Sequence, residues 1–401
     1  MTNIAILGFG VVGGGVADVI TENIEIIEKR INEKLSIKYI LDLRDFPDSP
    51  FGHLVTHDFN VILNDPEVTI VAEMMGGSHP AYDFSLAALR AGKSVVTSNK
   101  EVVSKFGVEL LSVAKEMGVR YMFEASVGGG IPIIRPLVND LAANSIVSIS
   151  GILNGTTNYI LTQMVENGTA FADALKDAQA KGYAEANPTA DVDGIDAARK
   201  IVILASLAFE KLISPDSIYT EGISGISVSD IQLAKELGYS VKLIGHCEKV
   251  DEKILAMVSP RLIPANNPLH SVDDVFNGIL VDANMLGTSM FYGRGAGKLP
   301  TASAVVADII DIAKSPVNDV CFPAVESASD KDLFDFSDYR CKNMLVFDSK
   351  ADDSVVDIFN ATEAIIRDGK VAFITEELSE KELKDKLSSL NDAPLSRIRL
   401  L

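Results

Sequence analysis

The sequence predicts an α/β chain in three parts, and three patterns predict it. A glycine fingerprint separates the first strand from the first helix, strands alternate with helices through the first third, and the last stretch runs βαββαβ. Alternation implies a parallel sheet with crossover helices, a Rossmann-type nucleotide-binding fold. The final order is ferredoxin-like, and an α+β region lies between the two. The 401 residues accommodate three parts, since domains run to roughly 100–200 residues. Expected boundaries are 1–132 for the nucleotide domain, completed by 298–318, then 133–297 for the central α+β domain, and 319–401 for the tail.

The first strand is the apolar run Asn3 to Gly8. Gly8-Phe9-Gly10-Val11-Val12-Gly13 follows, then a helical pattern from Val16 to about Ile31. Strand, fingerprint and helix in that order point to a dinucleotide: Gly8 permits the tight turn, Gly10 lets backbone approach the pyrophosphate, and Gly13 lets helix pack on strand. The helix start offers unpaired N–H groups to the phosphates. A second strand, Ile37 to Leu43, ends among Asp42, Arg44 and Asp45. An acid there takes the ribose hydroxyls of NAD, and an arginine can hold the 2′-phosphate of NADP. Both are present, so NADP or NAD stays open, with Arg44 tilting toward NADP.

His53 and His57, spaced i, i+4, follow Pro47 and Pro50 without a glutamate at zincin spacing, and read as a surface loop. Thr69 to Met74 is a strand ending at Gly76-Gly77, Ala81 to Ala91 a helix, and Ser94 to Thr97 a strand ending in Ser98-Asn99-Lys100. Gly77, Ser98 and Lys100 thus lie at strand C-terminal ends, where such folds bind ligands. Lys100 reads either as a solvated charge or as part of that site.

In the middle, Phe123-Glu124-Ala125-Ser126-Val127-Gly128-Gly129-Gly130-Ile131-Pro132 is a strand entering a glycine-rich turn. It reads as a domain hinge, or as carbonyls converging on a hard cation. A strand near Ile146 to Leu153 leads to Asn154-Gly155-Thr156-Thr157 and a helix, with Thr156 or Thr157 as the expected cap. From Ala178 the chain runs helix, polar loop, then a helix from Ile195 to Ala208. Asp196 and Lys200 share one face of it. The following Ile201 to Ala205 is apolar all round, as in a buried helix. Lys200 is then either a cleft-wall lysine or half of an ordinary surface pair.

Composition excludes some partners. With 36 basic against 56 acidic residues, net −20, the chain is unsuited to charge-driven binding of nucleic acid or anionic membranes. No apolar run reaches the ~18 residues of a membrane span. The start lacks a basic signal region, so a cytoplasmic protein is expected. Cys247, Cys321 and Cys341, without a C-x-x-C, read as reduced thiols.

The stretch Ala178 to Lys200, with Gly182-Tyr183-Ala184, Asn187-Pro188, Asp191-Val192, Gly194, Asp196 and the final lysine, resembles the signature of homoserine dehydrogenase. The likeness extends to Gly8–Gly13, Val96 to Lys100, Phe123 to Pro136, Asn154 to Thr157 and Tyr292 to Thr301, roughly residues 1–315. It implies interconversion of L-homoserine and L-aspartate 4-semialdehyde with NAD(P), in threonine, methionine and isoleucine biosynthesis. It implies Lys200 as proton donor, Asp196 steadying it and touching substrate, and Lys100 near the nicotinamide. Glu185 is then expected on the substrate ammonium, with Tyr183, Thr156 and Gly155 lining the site. The implied cofactor set is Gly8, Gly10, Val11, Val12, Gly13, Arg44, Gly77, Ser98, Lys100, Gly182 and Gly297. A monovalent cation, Na+ or K+, is expected on carbonyls of Glu124, Val127, Gly129 and Ile131. A homodimer or higher homo-oligomer is also implied. The competing readings are another amino-acid semialdehyde dehydrogenase and a catalytically silent NAD(P) sensor. The Glu185, Asp196, Lys200 spacing speaks against the first and the presence of both lysines against the second.

In the tail, Ser329 to Asp338 reads as a linker. The order then runs strand Asn343–Phe347, helix Asp353–Asn360, strands Ala364–Arg367 and Lys370–Ile374, helix Ser379–Leu390 and strand Arg397–Leu400. Asp368-Gly369 is the hairpin turn. The order resembles a regulatory ACT domain, but Asp348-Ser349-Lys350-Ala351 lacks the usual glycine of a D-x-x-G step. Effector sensing and a structural role both stay open.

Overall fold

The computed structural model describes residues 1–314, 325–349, 354–361 and 363–401. Cys321, Lys350, Ala351 and the expected 318/319 boundary lie outside them. In chain order the elements are β1 Thr2–Leu7, α1 Val11–Glu22, α2 Ile24–Ile31, β2 Leu35–Leu41, β3 Val55–Thr56, α3 Phe59–Leu63, β4 Val68–Glu73, α4 Ala81–Arg90, β5 Ser94–Thr97, α5 Lys100–Met117 and β6 Tyr121–Met122. Then come β7 Ile146–Ile152, α6 Gly155–Asn167, α7 Phe171–Ala180, α8 Thr189–Val192, α9 Ile195–Phe209, β8 Lys211–Leu212, β9 Tyr219–Thr220, α10 Val228–Glu236, β10 Tyr239–Val250, β11 Lys253–Pro264, β12 Phe276–Ala283, β13 Gly287–Arg294 and α11 Lys298–Lys314. The tail holds β14 Glu326–Ser327, β15 Arg340–Cys341, β16 Asn343–Asp348, α12 Ser354–Ile358, β17 Glu363–Arg367, β18 Lys370–Ile374, β19 Leu378–Ser379, α13 Glu380–Ser388 and β20 Ser396–Leu400.

The chain divides into two units. The first is Met1–Asn144 with Val202–Ser214 and Gly293–Ser327, and the second is Ser145–Ile201 with Pro215–Tyr292 and Ala328–Leu401. In the first, a six-stranded sheet runs β3-β2-β1-β4-β5-β6, parallel throughout. This is the doubly wound Rossmann order. Ile4, Ile6, Ile70 and Val96 pack against Val16, Ile20, Val305 and Ile309 of α1 and α11, so α11 completes the unit.

The helix after the fingerprint begins at Val11 rather than Val16 and breaks at Asn23, where α2 takes over. Glycine is a poor helix former, but here tertiary contact decides. A Cβ on Gly15 would lie 2.8 Å from the Lys298 carbonyl oxygen and 3.0 Å from Ala302 Cβ. The glycines allow two helices to approach closely.

The second unit is built on a mixed sheet of order β13-β12-β7-β10-β11-β20-β16-β18-β17. Its last four strands pair antiparallel. By rank within the tail that order is fourth, first, third, second, the arrangement expected of ferredoxin-like βαββαβ. Asp368 and Gly369 have φ of 49° and 76°, the two positive values a tight hairpin turn demands. The tail is not set apart from the middle of the chain as its sequence suggests. β20 pairs in parallel with β11 through Arg261↔Arg399 and Leu262↔Leu400, so both belong to one unit.

Ser329 to Asp338 is not a loose linker either. Leu333 bridges Ile254, and the Phe336 ring stacks on Tyr219 with centroids 4.0 Å apart. A backbone bridge at Leu333 and one aromatic side chain, Phe336, thus anchor this acidic stretch.

Candidate active site

In the first unit, β1 ends in Gly8 with φ of +89°, and a Cβ on Gly13 would stand 2.0 Å from the Gly8 carbonyl oxygen. Gly10, by contrast, faces open space, and it begins α1 without a side-chain cap or an acid in the first turn. The N–H groups at Val11 and Val12 are therefore open to an anion. The turn just before them lines a cavity of about 560 Å³, with Gly8, Gly10, Asp42, Arg44, Met75 and Gly76 among its walls. Its shape and its donor set fit a dinucleotide.

In the same cavity wall, Asp42 Oδ2 accepts the Phe9 N–H at 2.8 Å. Arg44 Nε lies 3.0 Å from the other oxygen. The guanidinium holds the Asp42 carboxyl down at about 2. His57, expected in a loop, turns Nδ1 to the Asp42 carbonyl at 2.7 Å and lines the cavity. Gly77, with positive φ, and Ser98 follow β4 and β5, and Lys100 opens α5. Gly297, φ +122°, precedes α11 in this unit. Gly182, φ +75°, ends α7 in the second unit.

The glycine-rich turn is a packing device rather than a hinge. Gly128 and Gly129 both have positive φ, and a Cβ on Gly129 would lie 2.4 Å from the Gly295 carbonyl oxygen. The Glu124 carboxylate is occupied, accepting the N–H groups of Ile133, Ile134 and Arg135 at 2.7, 2.9 and 2.8 Å. In 124–131 that leaves backbone carbonyls rather than this carboxylate as the oxygens on offer.

The second unit brings the other expected residues together. Lys200 is buried at 8% exposure. Its Nζ donates to the Leu153 carbonyl at 2.7 Å and meets Asp196 Oδ2 at 2.7 Å. Asn154, which sequence reasoning assigned no role, organises this group. Its Nδ2 donates to Asp191 Oδ1 at 2.7 Å and to Asp196 Oδ2 at 2.9 Å. Its Oδ1 accepts the Thr157 N–H at 2.8 Å. Asn154, not Thr156 or Thr157, is thus the cap of α6, because Asn154 alone keeps extended backbone there. An asparagine just before a helical pattern is the signal that identifies such a cap.

Thr156 Oγ1 donates instead to the Tyr183 carbonyl at 2.7 Å, joining the start of α6 to the loop after α7. The Tyr183 ring meets Tyr159 edge-on and stays 43% exposed. A Cβ on Gly155 would lie 2.7 Å from the Val275 carbonyl oxygen, so only glycine fits. Glu185 lies exposed on the same loop, with its backbone carbonyl accepting Gln179 Nε2 at 3.0 Å.

Comparison with known proteins agrees with this arrangement. Residues 8–124 match the family model "Homoserine dehydrogenase, NAD binding domain", and residues 132–310 match "Homoserine dehydrogenase". The homoserine dehydrogenase of Neisseria gonorrhoeae is 46% identical over 315 residues, 78% of this chain and 72% of that protein. That of Corynebacterium glutamicum is 42% identical over 352 residues, 86% of this chain and 79% of that protein. The crystal structure of a homoserine dehydrogenase from Thiobacillus denitrificans superimposes with TM-score 0.92 at 35% identity, covering 100% of this chain and 98% of that one. A hyperthermophilic archaeal homoserine dehydrogenase in complex with NADPH superimposes with TM-score 0.67 at 28% identity, covering 80% and 99%. A dinucleotide cavity, a buried lysine–aspartate pair and these likenesses lead to one conclusion: the chain belongs to the homoserine dehydrogenase family.

Proposed function

We propose that Lys200 is the proton donor of this NAD(P)-dependent homoserine dehydrogenase. The single observation that carries the assignment is the buried Lys200–Asp196 pair, fixed from behind by Asn154 and the Leu153 carbonyl. Bound NAD(P)H supplies the hydride. Reduction of L-aspartate 4-semialdehyde develops negative charge on the aldehyde oxygen, which a held ammonium neutralises and protonates. Asp196 keeps Lys200 oriented and touches the substrate. Glu185 takes the substrate's own ammonium and sets its orientation, with Tyr183, Thr156 and Gly155 lining the site. Lys100 stands beside the nicotinamide. The fingerprint residues Gly8 to Gly13 hold the pyrophosphate, with Gly77, Ser98, Gly182 and Gly297 along the cofactor.

Asp42 and Arg44 receive the adenosine ribose. Because Arg44 neutralises Asp42, a 2′-phosphate is tolerated there, and NADP is the favoured cofactor with NAD accepted. Carbonyls of Glu124, Val127, Gly129 and Ile131 hold Na+ or K+. Among the described residues no helix is long and apolar enough to cross a membrane. In this reading the enzyme works in the cytoplasm as a homodimer or higher homo-oligomer, without nucleic-acid or membrane partners. Supporting self-association, β13 is a sheet edge that carries exposed Tyr292 and is preceded by exposed Met285 and Leu286. A structural role is the reading taken for the tail, and its strand pairing with β11 supports it. The deciding assay is NADPH oxidation with L-aspartate 4-semialdehyde. Turnover is expected, and normal NADPH binding without turnover would favour a silent sensor.

A further inference from the structure

The end of β4 is held by a carboxylate that takes no part in the chemistry above. Glu73 is fully buried. Its Oε2 accepts the Thr97 hydroxyl at 2.6 Å, and its Oε1 accepts the Met75 N–H at 2.6 Å. Thr97 Oγ1 in turn accepts the Asn99 N–H at 2.9 Å. Asn99 Nδ2 donates to the carbonyls of Met75 and Gly77 at 3.1 and 2.8 Å. Asn99 Oδ1 accepts the Val102 N–H and caps α5. Glu73 and Thr97 are register partners across β4 and β5. One carboxylate therefore ties down two segments: the turn Met74 to Gly77, whose first three residues wall the dinucleotide cavity, and the first turn of α5, which starts with Lys100.

We propose that Glu73 is a positioning residue for the cofactor, its ionised carboxylate fixing the 74–77 turn and the start of α5 against which the dinucleotide lies. The inference rests on the placement of NAD(P) in the Gly8–Arg44 cavity. The groups facing Glu73 are Thr97 from β5, Asn99 from the cap of α5, Leu7 as its partner on β1, and the phenol of Tyr121 on β6, itself pushed up by burial and by the Glu73 charge. Burial pushes Glu73 up to about 7, against the pull of its hydrogen bonds. Both oxygens already receive a donor. A proton on either one forces a short contact to open or invert, which loosens the turn.

The test is fluorescence titration of NADH and NADPH on the full chain and on Glu73→Gln, from about pH 5.5 to about pH 8.5. NADH carries no 2′-phosphate, so its profile is free of that group's titration. His57, which also lines the cavity, is common to both proteins. Wild-type affinity is expected to fall about tenfold as pH drops across this range, the scale of losing one hydrogen bond to a charged group. Glu73→Gln should lack that pH-dependent component and bind weakly throughout. Its KM for cofactor should rise while kcat at saturation changes little. If Glu73→Gln fails to fold, Thr97→Val, which removes the donor to Oε2 and with it the acceptor of the Asn99 N–H, should show the same cofactor weakening. A wild-type profile without the fall, or a glutamine variant that keeps it, overturns the inference. Absence of dinucleotide binding by the wild type at every pH would instead remove the placement on which it rests.

Discussion

Asp196 and Lys200, one turn apart on α9, meet at 2.7 Å with 6% and 10% of their side chains exposed. An exposed pair at this spacing is worth tenths of a kcal/mol, whereas a buried one is sensitive to loss of either partner. Lys200→Ala should therefore cut kcat by about 10²–10⁴-fold, the usual contribution of a positioned acid. NADPH affinity should stay within a factor of about two. Stopped-flow turnover beside fluorescence titration checks both, and near-normal kcat removes Lys200 from the mechanism.

Asn154→Ala tests the group behind that pair. The variant loses the cap of α6, worth about 1 kcal/mol, and leaves Asp191 and Asp196 without their shared amide donor. The expected result is a kcat lower by about 10–100-fold with cofactor affinity intact, on the scale of one hydrogen bond to a charged group. A variant that loses stability but keeps kcat would make Asn154 a cap and nothing more.

Asp308 gives a stability prediction with a definite sign. It is fully buried, accepts the Glu124 N–H at 2.9 Å and shares Arg135 with Glu124. Burial, then the Glu124 charge, pushes it up to about 8. Its folded value lies above the unfolded 3.8, so the folded state holds the extra proton between those values and stability falls as pH rises through them. Glu73, raised from 4.5 to about 7, acts in the same direction. Asp308→Asn should match wild type near pH 4 and out-melt it by a margin that grows as pH rises toward about 8, because the variant has no carboxyl to ionise on unfolding. Parallel melting curves for the two proteins across that range would contradict the assignment.

Arg399 is 3% exposed. It joins Glu221 Oε2 at 2.5 Å and Glu380 Oε1 at 2.8 Å, with the Tyr219 ring 4.6 Å away. Arg399→Met should lower stability by about 3–5 kcal/mol, since Glu380 and Glu221 lose a buried partner. Denaturant unfolding measures this. Adding Glu380→Leu should restore part of the loss, and a full-sized loss in the double variant would argue against the ion pair as the cause.

Elements whose signals are local were legible in the sequence. Ser94–Thr97 and Lys370–Ile374 have the bounds that their apolar runs and flanking turns imply. The fingerprint turn, the hairpin at Asp368-Gly369 and the Asp196–Lys200 face follow from spacing alone. What was not legible depends on distant partners. Asn154 gains its role from Asp191 and Asp196, the acidic stretch before the tail from Tyr219 and Ile254, and Glu73 from Thr97 on the neighbouring strand. No short-range pattern encodes these, because each is set by which strands become neighbours.

The pairing of β20 with β11 makes the tail a covering for a vulnerable edge. β11 is twelve residues long and buried along nearly all of it. Beyond the short contact with β9 at Met257 and Val258, β20 satisfies its open side at Arg261 and Leu262. A chain trimmed of β20 would present that apolar strand to other molecules as a template for intermolecular pairing. Truncation of the tail should therefore yield aggregate, read by light scattering, before it yields an unregulated enzyme.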